Sequence, residues 1–493
     1  MVFGSGSNLF SDISVRTGGS QFDASANNFG PQLGFAWSPK RFAGREFGSR
    51  LVLRGGFGLA YNGIAQSNSL DVRFNPPFVQ NSATLSGSQI LYINSFPADI
   101  NDPNGYASNP NGIVTFGPNN LPTTGRTELT ALPATWPTTT TYHYTLGGEY
   151  DLGHQWVASL GYQGSTTRHL TQKYNLYNVG AANGLALNPS VSGIDYYTDD
   201  GGAKFNALLL ELKHNFSDTF SLDAQYRFSH TFDSGSNAYG NANGTGLYQW
   251  DISTNYTTSD YDVRHAFKLF GIWSPRLFRG SHSWAEKVAG GWTISGILNA
   301  HTGFPWTPYY GSNTITGGFD PVFSFGKNAG GSSSASGSGA LLPAAFLGGF
   351  KPNYRSSATL DATAFFTPPT LTPGTLFDCL FPNPDPTVCP SGQQGFGPVP
   401  SFPGVHRNMF TGPGYFDVDA TLSKSFGLPT LKIIGETAKI EFRANFYNLF
   451  NKLNLNGSCA FNGIQCDITN SHFGESQSAL GSRTIELQAR FSF

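Results

Sequence analysis

Apolar and polar side chains alternate along about eleven segments of this chain, each of roughly 10 to 15 residues. The segments lie near residues 29–38, 50–62, 140–152, 155–166, 204–216, 219–231, 262–274, 288–303, 415–426, 437–450 and 480–493. Successive side chains of a β-strand point to opposite faces, so each segment predicts a strand with one apolar and one polar face. Each segment is also long enough to cross a bilayer as a tilted strand.

The polar faces of the last three predicted strands carry charges of both signs. We expect these side chains to face a wet lumen and to pair across neighbouring strands or remain solvated, with contact to a transported ligand as the weaker alternative. We assign them no catalytic role. They are Asp417, Asp419, Lys439, Glu441, Arg443, Glu486 and Arg490. Alternation by itself fits a soluble sandwich or barrel equally well, because there too one face is apolar and the other polar.

The connections between the predicted strands discriminate better, because short and long ones alternate along the whole chain. Short connections fall at 39–49, 153–154, 217–218, 275–287 and 427–436, and long ones at 63–139, 167–203, 232–261, 304–414 and 451–479. In an antiparallel meander every second connection emerges at the same end, so all the long loops would project from one rim. Short periplasmic turns and long extracellular loops are typical of outer-membrane β-barrels.

Composition narrows the fold class further. The 493 residues include 60 Gly and 30 Pro, and charged residues make up only 12%, about half the ~25% of an ordinary soluble domain. The mean hydropathy is -0.23, and no window holds the roughly 18 consecutive apolar residues of a spanning helix. The formal net charge of -2, without any basic run, argues against nucleic acid as a partner.

The sequence lacks the common catalytic and nucleotide-binding motifs, so we expect neither enzyme activity nor a cofactor. The chain contains no nucleophile elbow, HExxH, Walker A or GxGxxG stretch, the patterns that place nucleophiles, metal ligands or phosphate-binding loops. Aromatic residues collect near strand ends, where a barrel would use them as interfacial girdles and a soluble fold as core residues. Examples are Trp37, Tyr61, Trp136, Tyr142, Trp273, Trp306 and Tyr415.

Four cysteines form two local pairs in the long loops, Cys379 with Cys389 and Cys459 with Cys466. This placement favours loop-closing disulfides in an oxidising cell envelope. A metal site is the weaker alternative, because neither pair has CxxC spacing and only His472 lies near the second pair. The surrounding loop 304–414 is rich in Gly, Ser and Pro, and its length suggests either a loop that folds over the mouth or binds something, or local disorder.

Several segments together resemble the C-terminal barrel of Oar-like TonB-dependent outer-membrane receptors. They are NFGPQLGFAW at 28–37, LRGGFG at 53–58, DVRH at 262–265, GWTISG at 291–296 followed by TGFP at 302–305, EFRANFYNLFN at 441–451 and RFSF at 490–493. The resemblance implies an all-β fold, an antiparallel transmembrane barrel of about 22 strands, of which this chain supplies about 11 or 12. It also implies that Arg490, Phe491, Ser492 and Phe493 are the recognition end for insertion by the barrel-assembly machinery.

Such receptors look like three parts in series, a signal with a carboxypeptidase-regulatory-like domain, a plug and a barrel. We expect residues 1–28 to be a loop remnant and residues 29–493 to be the C-terminal part of the barrel, because no plug-like segment, TonB box or signal is recognised. An odd number of strands would start the chain outside the cell. We therefore expect a truncated product or a fragment, in contact with outer-membrane lipid and linked to the TonB complex only through the missing N-terminal part.

Three functions are compatible with these patterns. The resemblance favours the barrel of a TonB-dependent receptor in the outer membrane, for substrate uptake or for protein export or display, although this chain alone would not perform energised transport. A passive porin or surface-binding barrel would keep the same strands and loops. A secreted soluble β-protein, such as a glycan-binding module, is the least favoured. The substrate cannot be read from the sequence, because plug apices and loops recognise it.

Overall fold

Strands of alternating apolar and polar residues pair in chain order into one large antiparallel sheet. Its eleven long strands are β1 (Gln32–Trp37), β2 (Leu51–Asn62), β3 (Thr139–Gly153), β4 (Trp156–Asn175), β5 (Val191–His214), β6 (Phe220–Asp233), β7 (His265–Trp273), β8 (Trp292–His301), β9 (Tyr415–Gly427), β10 (Lys439–Tyr447) and β11 (Thr484–Ser492). All eleven predicted strands are thereby confirmed.

This computed structural model describes residues 2–4, 13–15, 23–24, 28–42, 44–63, 72, 75, 116–123, 127–132, 135–175, 188, 190–214, 219–236, 256–277, 284–308, 345–355, 364–367, 406–427, 438–457, 459, 463–468 and 470–492. Five pairs of short strands lie outside the sheet, namely Val2–Gly4 with Ile13–Val15, Asp23–Ala24 with Thr135–Trp136, Arg41–Phe42 with Arg45–Glu46, Pro305–Trp306 with Phe410–Thr411 and Ala345–Phe346 with Phe366–Thr367. Two more extend it, Thr127–Ala131 beside β5 and Thr257–Thr258 beside β6, and the helix α1 spans Trp284–Ala289.

The hairpin of β4 and β5 is longer than its sequence pattern predicts. Its ladder continues to the pair Asn175 and Asp195, so the two strands enter the connection predicted at 167–203 from both sides. The register shifts near Leu170, and such an irregularity interrupts the two-residue period from which a strand is predicted. The alternation therefore fades before the strand ends.

The meander sorts the connections by length, as predicted. At one end β3 turns into β4 through His154 and Gln155, whose φ angles are 51° and 70°, the left-handed conformation of a tight two-residue hairpin. Because every strand is antiparallel to the next, all the long connections leave from the opposite end. Among the described strands, β1 and β11 are the two edges of the sheet and do not pair with each other, so the sheet is open.

The two faces of the sheet differ in chemistry, and the apolar face is the uncovered one. Leu160 on β4 pairs with Leu210 on β5, and their side chains remain 54% and 42% exposed. The buried hydrophobic side chains lie almost entirely elsewhere. In the described residues they form three clusters in the long connections, the N-terminal segment and the outer end of β5. The packed core that the described residues form therefore lies at the end of the sheet where the long connections are.

Candidate functional site

The polar face of the sheet gathers the charged residues that the sequence pattern selected. Residues paired directly across an antiparallel ladder share a face, and the registers place all seven predicted side chains on the same face of β9, β10 and β11. The Nη2 of Arg443 lies 2.6 Å from the Oε1 of Glu441 on the same strand. Arg443 therefore pairs with a residue two positions away on its own strand and not, as expected, with a residue on a neighbouring strand.

A shallow depression lies on this polar face between β2 and β5. Gly147 and Gly161 are directly opposite each other, so the backbone is bare there, and the depression has a volume of 290 Å³. Arg54 and Glu149 line it and form an ion pair, with 3.1 Å between Nη1 and Oε1. Glu211 on the far side accepts a hydrogen bond of 3.1 Å from the Nε2 of Gln225. Charged groups of both signs and apolar side chains such as Val52 and Leu209 therefore line this open depression together.

An apolar patch interrupts the polar face further along the sheet. Phe270 and Ile297 are directly opposite each other and are 45% and 50% exposed. Asp223 precedes them and Asp419 follows them in the same row of cross-strand partners. The Oδ1 of Asp223 is buried and accepts no hydrogen bond from the described residues. The sequence pattern did not predict this patch, because Phe270 and Ile297 are apolar residues at positions where the alternation requires polar ones.

Beyond the outer ends of the strands, the long connections pack together into a structure that we call the loop cap, residues 234–236, 256–264, 302–308, 345–355, 364–367, 406–414 and 448–480 where described. Arg407 is its most buried charged residue, 3% exposed. Its Nη1 donates to the Oδ1 of Asp260 at 2.7 Å and to Ser236 at 3.0 Å. Its Nη2 donates to the backbone oxygen of Asp233 at 2.8 Å and also to the carboxylate of that residue.

The next residue, Asn408, strengthens the same junction. Its amide Nδ2 donates to the backbone oxygen of Thr258 at 2.7 Å and to the carboxylate of Asp260 at 2.5 Å. Its backbone N–H donates to Thr307 at 2.8 Å. Two consecutive side chains of the longest connection thus hold the connection between β6 and β7. The sequence offered no signal for this site, because these partners lie 101 to 174 residues apart.

An aromatic cluster forms the apolar centre of the loop cap. It comprises Trp306, Phe346, Phe350, Phe366, Phe410 and Phe473. The indole Nε1 of Trp306 donates to the hydroxyl of Tyr354 at 3.0 Å, and that hydroxyl donates to the backbone oxygen of Thr411. Burial raises the pKa of Tyr354 to about 12, because the phenolate would lose its hydration.

The predicted cysteine pairs have different outcomes. Cys459 and Cys466 are joined by a disulfide with a Cα–Cα separation of 5.8 Å, and both pack against the aromatic cluster. Cys379 and Cys389 lie outside the described residues, as does Phe493, whereas Arg490, Phe491 and Ser492 end the edge strand β11. The insertion role of this terminus stays a prediction.

The tryptophans near strand ends divide between the two uses that the sequence left open, girdle and core. Trp136 and Trp306 are only 3% and 2% exposed, because both lie in long connections that pack against other connections. Trp37 and Trp273 stand on the apolar face of the sheet and are about half exposed, as side chains of a girdle would be. Position near a strand end therefore did not separate interfacial from buried aromatic residues.

The segment predicted as an N-terminal loop remnant takes part in a second buried cluster. Ile13 and Val15 are 2% and 3% exposed and pack with Leu129, Val191 and Ile194.

No helix in the described part of the chain is long and apolar enough to cross a membrane. The described residues also contain no group of three or more His, Cys, Asp or Glu side chains arranged to hold a metal ion.

Comparison with protein families identifies this architecture. Residues 3–486 match the model of the family described as Outer membrane beta barrel domain. No curated protein matches the chain.

Solved structures with a similar arrangement of strands include the outer membrane transporter YddB from Escherichia coli, at 10% identity and a TM-score of 0.42, covering 90% of this chain and 38% of that one. The ferripyoverdine receptor of Pseudomonas aeruginosa follows at 9% identity and a TM-score of 0.37, covering 93% and 32%. The siderophore receptor PiuA from Acinetobacter baumannii has 8% identity and a TM-score of 0.36, covering 93% and 35%. The chain spans about a third of the length of these proteins.

Because the family model matches nearly the whole length, the chain belongs to the outer membrane β-barrel domain family. It is an all-β protein of the outer membrane. A secreted soluble module, the least favoured of the three functions, is therefore excluded.

Proposed function

We propose that this member of the outer membrane β-barrel domain family forms part of the barrel wall and the outer mouth of a TonB-dependent receptor for substrate uptake. The observation that carries the proposal is the pairing of a charged polar face with a tightly packed loop cap at one end of the sheet. A wall that only separated two compartments would need no folded structure above it. We place the substrate-binding surface between the loop cap and the polar face.

The exposed apolar face supports placing the wall in lipid. Leu33, Leu146 and Phe442 are more than half exposed, and exposure of such side chains to water costs about 25 cal/mol for each Å² of apolar surface. Lipid removes this cost while the pairing of backbone groups within the sheet is kept. The polar face then lines the lumen, where Arg54, Glu149 and the seven charged residues of β9 to β11 remain hydrated.

The loop cap supports a gated mouth rather than a permanently open one. Arg407 connects the β8–β9 connection to the β6–β7 connection through buried, charge-assisted hydrogen bonds, which are stronger than neutral ones. The aromatic cluster connects the β8–β9 connection to the β10–β11 connection. Three of the long connections are therefore cross-linked into one body, which suits a closing or binding element.

The partners follow from this proposal. The apolar face contacts outer-membrane lipid, the barrel-assembly machinery inserts the chain, and the TonB complex supplies energy through a part of the receptor other than the described strands. Export or display of a protein is the second use that the same architecture allows. We propose no enzyme activity, no cofactor and no nucleic-acid partner.

A comparison of wild-type and deletion strains of the native host tests the proposal for any substrate that the growth medium contains. Compounds removed from a defined medium are measured by mass spectrometry, in strains with and without the TonB complex. A compound whose removal requires both this protein and the TonB complex supports the receptor. Removal that requires this protein but persists without the TonB complex supports the passive porin, and identical media from wild-type and deletion strains contradict an uptake function.

A further inference from the structure

The turn between β7 and β8 differs from the tight turn between β3 and β4. It contains the helix α1 and presents three large apolar side chains, Trp284, Val288 and Leu277, which are 78%, 61% and 47% exposed. The turn between β3 and β4 needs only two residues to make the same connection. A longer turn with an uncovered tryptophan on it therefore requires a reason other than chain reversal.

The turn is attached to the apolar face of the wall. The indole Nε1 of Trp292 donates to the backbone oxygen of Val288 at 2.9 Å. The ammonium group of Lys424 donates to the same oxygen at 3.2 Å and also to the backbone oxygen of Gly290. Trp292 and Lys424 are cross-strand partners on the apolar face. The helix is thus held from the lipid side of the sheet, not from the lumen side.

Lys424 is suited to this attachment. It is 6% exposed, and its Nζ lies 5.4 Å from the centre of the Trp292 ring and 5.0 Å from that of Phe426. A cation at the C-terminal end of a helix interacts favourably with the helix dipole. The charge that Lys424 brings to the apolar face is thereby satisfied within the turn. Trp284 and Val288 are four positions apart and lie on one side of the helix, whereas the charged residue Glu286 stands between them in the sequence.

We infer that the turn between β7 and β8 is a membrane anchor that lies among the phospholipid headgroups of the inner leaflet, with Trp284 and Val288 inserted. Continuity with the wall identifies the occupant, because Trp273 at the end of β7 is exposed on the same apolar face. Tryptophan favours the boundary between headgroups and acyl chains, and apolar residues of short amphipathic helices insert there. The inference rests on the orientation in the proposed function.

Photo-crosslinking on the full chain tests the anchor. Benzoylphenylalanine replaces one residue at a time, Trp284 in the turn, Leu160 in the middle of the apolar face, and Leu347, which is 62% exposed in the loop cap. Each variant is assembled into phosphatidylethanolamine and phosphatidylglycerol vesicles, irradiated and analysed by mass spectrometry. We expect phospholipid adducts at positions 284 and 160, with about tenfold less at position 347.

The outcomes separate the anchor from the proposed function. Adducts at position 160 without adducts at position 284 overturn the anchor and leave the membrane wall intact, and a protein adduct at position 284 also overturns the anchor. Absence of adducts at both positions overturns the membrane wall as well. In a second variant, Lys424→Met, release of the helix should lower the lipid adduct at position 284 severalfold while that at position 160 stays unchanged, and an equal fall at both positions contradicts this role of Lys424.

Discussion

The sheet and the loop cap use the same kinds of side chain in opposite ways. In the sheet, large apolar residues such as Leu146 and Leu487 are uncovered, with exposures of 59% and 82%. In the loop cap, charged and aromatic residues such as Arg407 and Trp306 are almost fully buried. The strands are held by backbone pairing, and in the proposed function lipid covers their apolar face, whereas the connections carry most of the packed interior that the described residues form.

The two regions differ because each is suited to a different solvent. The apolar face does not need a packed partner, because lipid is as apolar as the side chains themselves. The loop cap faces water and must bury its own core as a small soluble domain does. We therefore expect that single substitutions damage one region while the other remains folded.

The largest effect is expected from Arg407→Ala in the loop cap. The substitution leaves the carboxylates of Asp233 and Asp260 without their buried partner, and breaking a buried ion pair costs about 3–5 kcal/mol. We expect the loop cap to open, as measured by hydrogen exchange of residues 406–414, while the exchange of β2 to β5 stays slow. Simultaneous loss of protection in the strands would contradict the independence of the two regions.

Arg264→Ala is the matched control for that experiment. Arg264 also faces an acidic partner at the rim of the loop cap, with 3.8 Å between its Nη2 and the Oδ2 of Asp262, but its side chain is 39% exposed. Asp262 is itself buried, but it keeps the 2.7 Å hydrogen bond from the backbone N–H of Thr231 when Arg264 is removed. An ion pair whose arginine reaches solvent contributes about 0–1 kcal/mol. We expect almost unchanged exchange in this variant, so that the contrast reports burial rather than the mere loss of an arginine.

The adjacent residues Leu160 and Ser159 on β4 test which face of the sheet meets lipid. Leu160→Arg places a cation on the apolar face, where it costs about 2–4 kcal/mol near the bilayer midplane. Ser159→Arg places the same cation on the polar face, directly opposite Glu149 and Glu211. We expect strongly reduced folded protein in the outer membrane for the first variant only, measured by heat-modifiable migration in gels. Equal loss in both variants would refute the assignment of faces.

The strands of the sheet could be predicted from the sequence because their signal is local. Alternation such as Ile440, Phe442, Ala444 and Phe446 reports a face directly, and the family resemblance agreed with it. The outer end of the β4–β5 hairpin escaped prediction where the register shifts near Leu170. The pattern of connection lengths also predicted correctly that the long loops share one end.

The loop cap could not be predicted, because its contacts join residues that are far apart in sequence. Arg407 binds Asp233, which lies 174 positions away in the sequence. No local sequence pattern near either residue indicates this contact. The sequence left open for the same reason whether Trp306 is a girdle or a core residue, since its burial depends on Phe410 and Phe473 from other parts of the cap. Composition correctly set these loops apart from the strands but said nothing about their packing.

A smaller effect is expected from removal of the disulfide in the loop cap. Cys459 and Cys466 are separated by 7 positions, and closing so short a loop stabilises by roughly 2–3 kcal/mol at most. In the Cys459→Ser, Cys466→Ser double variant we expect faster protease cleavage within residues 451–479 and an unchanged sheet. Maleimide labelling of both thiols in the wild type without reductant would show instead that the bond does not form in the exported protein.

The smallest effect appears only at high pH and concerns Tyr354, which donates to the backbone of Thr411 within the loop cap. Its pKa is raised from 10 to about 12 by burial, so between these values the unfolded chain loses the phenolic proton while the folded loop cap keeps it. The unfolded state then binds fewer protons, and the free energy of unfolding of the loop cap falls as pH rises through this range. Two pKa units correspond to a loss of up to about 3 kcal/mol at high pH, and the loss is absent at neutral pH.

An absorbance titration of phenolate formation at high pH measures this group by difference between the wild type and Tyr354→Phe. In the folded proteins the subtracted curve should show one tyrosine that ionises near pH 12. In urea the same subtraction should show one tyrosine near pH 10, about the ordinary value. A difference curve centred on that ordinary value in the folded proteins would mean that water reaches this hydroxyl, and hence that the loop cap lacks the dry aromatic interior that distinguishes it from the sheet.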